Sequence, residues 1–136
     1  MEIEDTLSNE KIWTILLDKI QRPDKYLPVT DVVARPSDDG KGTYREMTIK
    51  IPSADGFEVR RVIENIYADE STHEIQFVVT NLDKIHINKI ISNSEGKRTL
   101  EFYLRKKESE ERVSWDVPKH IAIGGINTVL QKAREL

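Results

Sequence analysis

Apolar positions along this chain change period twice. From Ile12 to Ile20 they recur at helical spacing, with Ile12, Trp13, Leu16, Leu17 and Ile20 forming one stripe and Asn9, Glu10, Asp18 and Lys19 lying off it. Ser8 can cap this helix, and Leu7 with Ile12 has the spacing of a hydrophobic staple. Pro23 to Leu27 reads as a short second helix stopped by Pro28. From residue 29 to 107 the period is nearer two, with turn chemistry between the runs. The predicted strands are Val29–Arg35, Thr43–Ile51, Phe57–Tyr67, His73–Thr80, Lys84–Ser92 and Arg98–Lys107. Helical spacing returns after Asp116, a candidate cap, with Ala122, Ile126, Val129, Leu130 and Ala133 on one face and Ile123 beside them. The pair Gly124-Gly125 implies either close backbone approach or a helix break, since each glycine costs about 1 kcal/mol relative to Ala in a helix interior.

This order, helix, short helix, six strands, long helix, predicts an α+β class with an antiparallel meander. Strand alternation assigns faces. One face collects Arg45, Met47, Ile49 and Ile51. It continues with Phe57, Val59, Arg61 and Ile63, then Ile75, Phe77 and Val79. Ile85, Ile87, Lys89 and Ile91 follow, then Leu100, Phe102 and Leu104. His86 and Asn88 alternate outward, as do Tyr44 and Tyr103. A bulge in the third strand would exchange its faces, turning Glu64 in and Arg61 out.

The chain has 136 residues, the usual size of one domain, and shows no repeat, linker or low-complexity tract. Its formal net charge of −3, with signs interspersed, argues against nucleic-acid or membrane-surface partners. The absence of cysteine excludes disulfides, zinc–thiolate sites and thiol nucleophiles. No apolar run is long enough to span a bilayer, and the acidic start is unlike a signal peptide, so a cytoplasmic setting is expected. His73, His86 and His120 lie at no metal-ligand spacing and read as surface histidines, so neither metal nor cofactor is expected. Ser8-Asn9-Glu10-Lys11 has the form Ser-x-x-Lys, but its companion motifs are missing, and a helix cap accounts for it.

Leu7-Ser8-Asn9-Glu10-Lys11-Ile12-Trp13, Arg22-Pro23-Asp24-Lys25-Tyr26-Leu27-Pro28, Thr43-Tyr44-Arg45-Glu46-Met47-Thr48-Ile49 and Gln131-Lys132-Ala133-Arg134-Glu135-Leu136 resemble segments of the AtaL-like family. That family falls within the Bet v 1/START-like (SRPBCC) superfamily. The resemblance implies a helix-grip fold, a sheet of about six strands wrapped around the long C-terminal helix. Related folds open with a strand before the first helix. Here seven residues precede Ser8, so Ile3 offers only a stub. The sheet is then either open between its first and last strands or covered by another chain, a homodimer being one form of cover.

An apolar concave face interrupted by arginines suits an amphiphilic ligand. The expected function is binding or carrying a small hydrophobic molecule between the sheet and the last helix. Its walls would be Met47, Ile63, Phe77, Ile87, Phe102, Ile123, Ile126 and Leu130, with Arg45 and Arg61 orienting a polar head. The other reading of the two arginines pairs them with Glu46, Glu58 or Glu64, or lets them reach water. Trp13 is expected in the core, and Trp115 either in the core or at a cavity mouth. The resemblance also implies two alternatives. One is a polyketide cyclase or aromatase, for which Glu64 is the only base to name. The other is a protein-interaction module, which would have a filled core.

Overall fold

The computed structural model describes residues 1–115 and 118–136; the expected cap Asp116 lies outside the described residues. In chain order the elements are β1 (Glu2–Ile3), α1 (Asn9–Gln21), a 3-10 turn (Pro23–Lys25), β2 (Val29–Pro36), β3 (Thr43–Ser53), β4 (Gly56–Asp69), β5 (Glu74–Val79), β6 (Lys84–Ser92), β7 (Arg98–Lys106), β8 (Arg112–Val113) and α2 (Lys119–Arg134). The sheet is antiparallel in the order β1-β7-β6-β5-β4-β3-β2, with β8 also on β7. The meander of six long strands is thus extended by two short ones that share the outer edge of β7. β1 lies against Arg98 and Thr99, and β8 against Leu104 and Arg105. The stub at Ile3 does form a strand. Arg98 fastens the segment behind it, donating to Glu4 O, Leu7 O and Asn9 Oδ1.

Helix α1 starts as its sequence dictates. Ser8 Oγ accepts from the Lys11 N–H at 3.3 Å, and Leu7 and Ile12 are both buried. Its buried face is Ile12, Trp13, Ile15, Leu16, Lys19 and Ile20. Leu17, expected in the stripe, faces outward, and Lys19, expected off it, is buried. The helical period explains this. At about 100° per residue Lys19 falls inside the arc between Ile15 and Ile20, and Leu17 falls beyond its edge.

Residues directly opposite across a ladder share a face, so register decides what points inward. On β3 the inward set is Arg45, Met47, Ile49 and Ile51, as expected. On β4 the expected faces are exchanged. Arg45 stands opposite Glu64, Met47 opposite Val62 and Ile49 opposite Arg60. Glu64, Val62 and Ile66 therefore point in, while Phe57, Val59, Arg61 and Ile63 point out. No bulge causes this. Ser53 pairs with Gly56 across the two-residue loop Ala54-Asp55, and that hairpin sets every pair behind it. On β6 Asn88 stands opposite Ile75 and Phe102, and His86 opposite Phe77 and Leu104. His86, Asn88 and Ile90 point in, and Ile85, Ile87, Lys89 and Ile91 point out. Lys89 pairs with Glu74 at 3.4 Å on the outer face. Isoleucines stand on both faces of β6, so alternation alone cannot choose between them.

Helix α2 runs unbroken through Gly124-Gly125. A Cβ on Gly125 would lie 3.3 Å from the Phe102 ring and 3.4 Å from Leu27, so close approach is the reason for one of the two glycines. Gly124 faces open space, and Ile123 beside it is exposed. Ile12, Leu16, Ile66, Ile75, Phe77, Leu100, Phe102, Val129 and Leu130 belong to the larger apolar core. Val29, Met47, Ile49 and Ile51 make a second, smaller cluster with Leu27, Val62 and Ile121.

Gly124→Ala should stabilise the protein by about 0.5–1 kcal/mol, because it adds helix propensity and meets nothing. Gly42→Ala should do the reverse, costing about 2–3 kcal/mol, since its Cβ would collide with the Ile66 carbonyl. Urea unfolding of both variants checks the contrast.

Candidate functional site: a buried lysine in an apolar cavity

A cavity of about 430 Å³ lies where the two apolar clusters meet. Its apolar wall comes from Leu27, Met47, Ile49, Val62, Phe77, Val79, Phe102 and Trp115, and α2 contributes Ile121 and Ala122. Arg61 and Thr80 are the exposed lining residues and mark its opening. Lys19, Arg45, Glu64, His86 and Asn88 bring polarity to its inner end.

Arg45 is the anchor of that group and is 1% exposed. Its Nε donates to Glu64 Oε1 at 2.9 Å, and Nη2 donates to the same oxygen. Its Nη1 donates to the Lys19 and Ile20 carbonyls, both at 3.1 Å. These carbonyls belong to the last turn of α1, where no intrahelical donor remains and the dipole end is negative. Arg45 thus joins the end of α1 to the carboxylate of β4.

Lys19 is held beside it. Nζ donates to Asn88 Oδ1 at 2.8 Å and lies 4.8 Å from the Phe77 ring centre and 4.9 Å from that of Phe102. Burial and then the Arg45 charge lower its pKa from 10.5 to about 7, against an opposing pull from Glu64. Near neutral pH the amine therefore exists in both protonation states. On the cavity wall, His86 packs edge-on against Trp115 with ring centres 5.6 Å apart.

The structure brings together only some of the residues expected at the site. Arg45, Met47, Phe77 and Phe102 line the cavity, and Arg61 lines its exposed rim. Arg61 sends its guanidinium to the outer face, donating to Asp31 O at 2.9 Å and Thr48 Oγ1 at 3.0 Å and facing Glu46 at 3.6 Å. Asp31 has φ 54° within an irregularity of β2, which that bond braces. Ile63 and Ile87 lie on the outer face, and Ile123 is exposed. Ile126 and Leu130 belong to the core beneath α2 rather than to the cavity. The pairing reading of Arg45 is the correct one, with Glu64 as its partner. Sequence reasoning missed Lys19, Asn88 and His86. The signal for Lys19 was its place in the helical arc, and for Glu64 the two-residue hairpin loop opposite Arg45. Trp13 is in the core, and Trp115 both lines the cavity and packs on the core. Among the described residues no group of three or more His, Asp or Glu could hold a metal ion, and no helix is long and apolar enough to cross a membrane.

These features define a class: an α+β fold whose antiparallel sheet and C-terminal helix flank an apolar cavity with a charged inner end. The chain belongs to the AtaL family, described as acetylaranotin biosynthesis cluster protein L, whose model matches residues 2–135. No curated protein gives a match.

Two outcomes follow from the charged cluster. Between pH 7 and 10.5 the unfolded chain keeps the Lys19 proton that the folded chain has lost, so folding stability should rise with pH across that window and gain nothing from this group below it. The slope approaches about 1.4 kcal/mol per pH unit. Urea melts from pH 6 to 9 should show the rise in the native protein and lose it in Lys19→Met. Arg45→Met should cost about 3–5 kcal/mol by leaving Glu64 buried without its cation, and adding Glu64→Leu should recover much of that loss.

Proposed function

We propose that this protein binds a small, mostly apolar molecule in the cavity between the sheet and α2, with an anionic or carbonyl group of that molecule at Lys19. The observation that carries this is a cavity of about 430 Å³ with apolar walls and one lysine whose bonded partner among side chains is a neutral amide. That volume lies within the range of sites for small ligands, about 300–1,000 Å³. Arg45 holds the inner end in shape, because its donors are engaged by Glu64 and the α1 carbonyls. A long C-terminal helix against an antiparallel sheet, with a cavity between, supports the helix-grip and SRPBCC placement. A cavity counts against the interaction-module reading, which expects a filled core.

A second reading is enzymatic, of cyclase or aromatase type. It is favoured by an amine that changes protonation near neutral pH inside the cavity. The family name, which refers to a biosynthesis cluster, agrees with it. Glu64 does face inward, but its Oε1 accepts from two donors of Arg45.

Native mass spectrometry of gently purified protein, beside the same sample denatured, should release a small molecule. Titration with 1-anilinonaphthalene-8-sulfonate, an apolar anion, should give saturable binding. Val62→Trp, which fills the cavity, should weaken that binding at least about tenfold, a loss of about 1.4 kcal/mol. Binding unchanged by a filled cavity would place the ligand elsewhere and refute the proposal.

A further inference from the structure

Lys19 is built differently from a lysine that only braces a fold. Two cations that brace the sheet are matched to carboxylates, Arg45 to Glu64 and Lys89 to Glu74. Lys19 is 4% exposed, bonds to the Asn88 amide and stands between two aromatic rings at the wall of the cavity. An amine fixed by a neutral amide, in an apolar cavity and beside a second cation, has the surroundings that make a lysine nucleophilic.

We infer that Lys19 Nζ is a covalent site for carbonyl compounds, condensing with the aldehyde or ketone of an apolar guest to form an imine. The inference rests on the ligand-binding reading and names the chemical class of the guest. In the step, the unprotonated amine adds to the carbonyl carbon and the C=O π pair moves to oxygen. Both protons of the amine pass to that oxygen, which leaves as water as the C=N bond forms. No oxidant or reductant is needed. The neutral amine thus gives a neutral imine, and an imine that then takes a proton from solvent carries the same single positive charge as the ammonium.

The lowered pKa supplies the reactive form near neutrality, set first by burial, then by Arg45 from β3, with Glu64 from β4 opposing. A surface lysine at pH 7 is unprotonated only about once in 10³. Lys19 therefore has a large advantage over the other lysines of the chain.

The test uses the native protein at pH 7 with 2-naphthaldehyde and cyanoborohydride, which reduces an imine to a stable secondary amine. Binding of 2-naphthalenemethanol, of the same shape but without a carbonyl, is followed in parallel by isothermal titration calorimetry. One adduct should form, peptide mapping should place it on Lys19, and Lys19 should react at least about tenfold faster than any other lysine. The alcohol should protect it, and the labelling rate should rise with a midpoint near pH 7. Lys19→Arg, which keeps a cation but has no amine to condense, should lose the adduct. If that variant fails to fold, the native map still decides. Alcohol binding with label spread over surface lysines and none on Lys19 overturns the imine and leaves the binding reading standing. Absence of binding by either compound overturns both.

Discussion

The bond network of Arg45 is the constraint on which the site depends. A guanidinium at 1% exposure is tolerable only if its donors are engaged, and here they are shared between one carboxylate and two helix-end carbonyls. The same bonds fix where α1 ends over the sheet, and so where Lys19 projects. They also leave a cation beside Lys19 while occupying the carboxylate that would otherwise neutralise it. Burial comes first in lowering the Lys19 pKa, and this capping interaction adds to it by holding Arg45 beside the amine.

Much of the fold was legible from periodicity. α1, the six long strands and α2 fall close to their expected positions, because each has a strong period and clear turn chemistry around it. The inward face of β3 was legible too, since its apolar residues occupy one parity only. β4 and β6 were not, for the same physical reason. Each carries β-branched residues on both parities, with Val59 and Ile63 against Val62 and Ile66, and Ile87 and Ile91 against Ile90. Which set faces inward is then decided by pairing with the neighbouring strand. For β4 that pairing was written in Ser53-Ala54-Asp55-Gly56, where a two-residue loop leaves one register.

The site was less legible than the fold. Its apolar walls on β3, β5 and β7 followed from alternation, but its chemistry was concentrated in residues that ordinary patterning sends to the surface. A lysine in a helix is expected to reach water, and an asparagine or histidine in a strand to alternate outward. Lys19, His86 and Asn88 each depart from that expectation, and the departures meet at the inner end of one cavity. Polar residues at apolar positions are the local inconsistencies that functional sites impose on a sequence.

The β3–β4 hairpin is longer than the sheet that supports it. β5 pairs only with residues 64–69 of β4, so the half of β4 that carries Arg60 and Val62 is backed by β3 alone. That half is also a wall of the cavity. A two-stranded ribbon opens at far lower free energy than a sheet with neighbours on both sides. The cavity therefore has one rigid wall, built from β5, β6, β7 and the helices, and one compliant wall. Under the proposed ligand-binding function, this ribbon is the part of the wall that can bend to fit guests of different girth while the core stays packed.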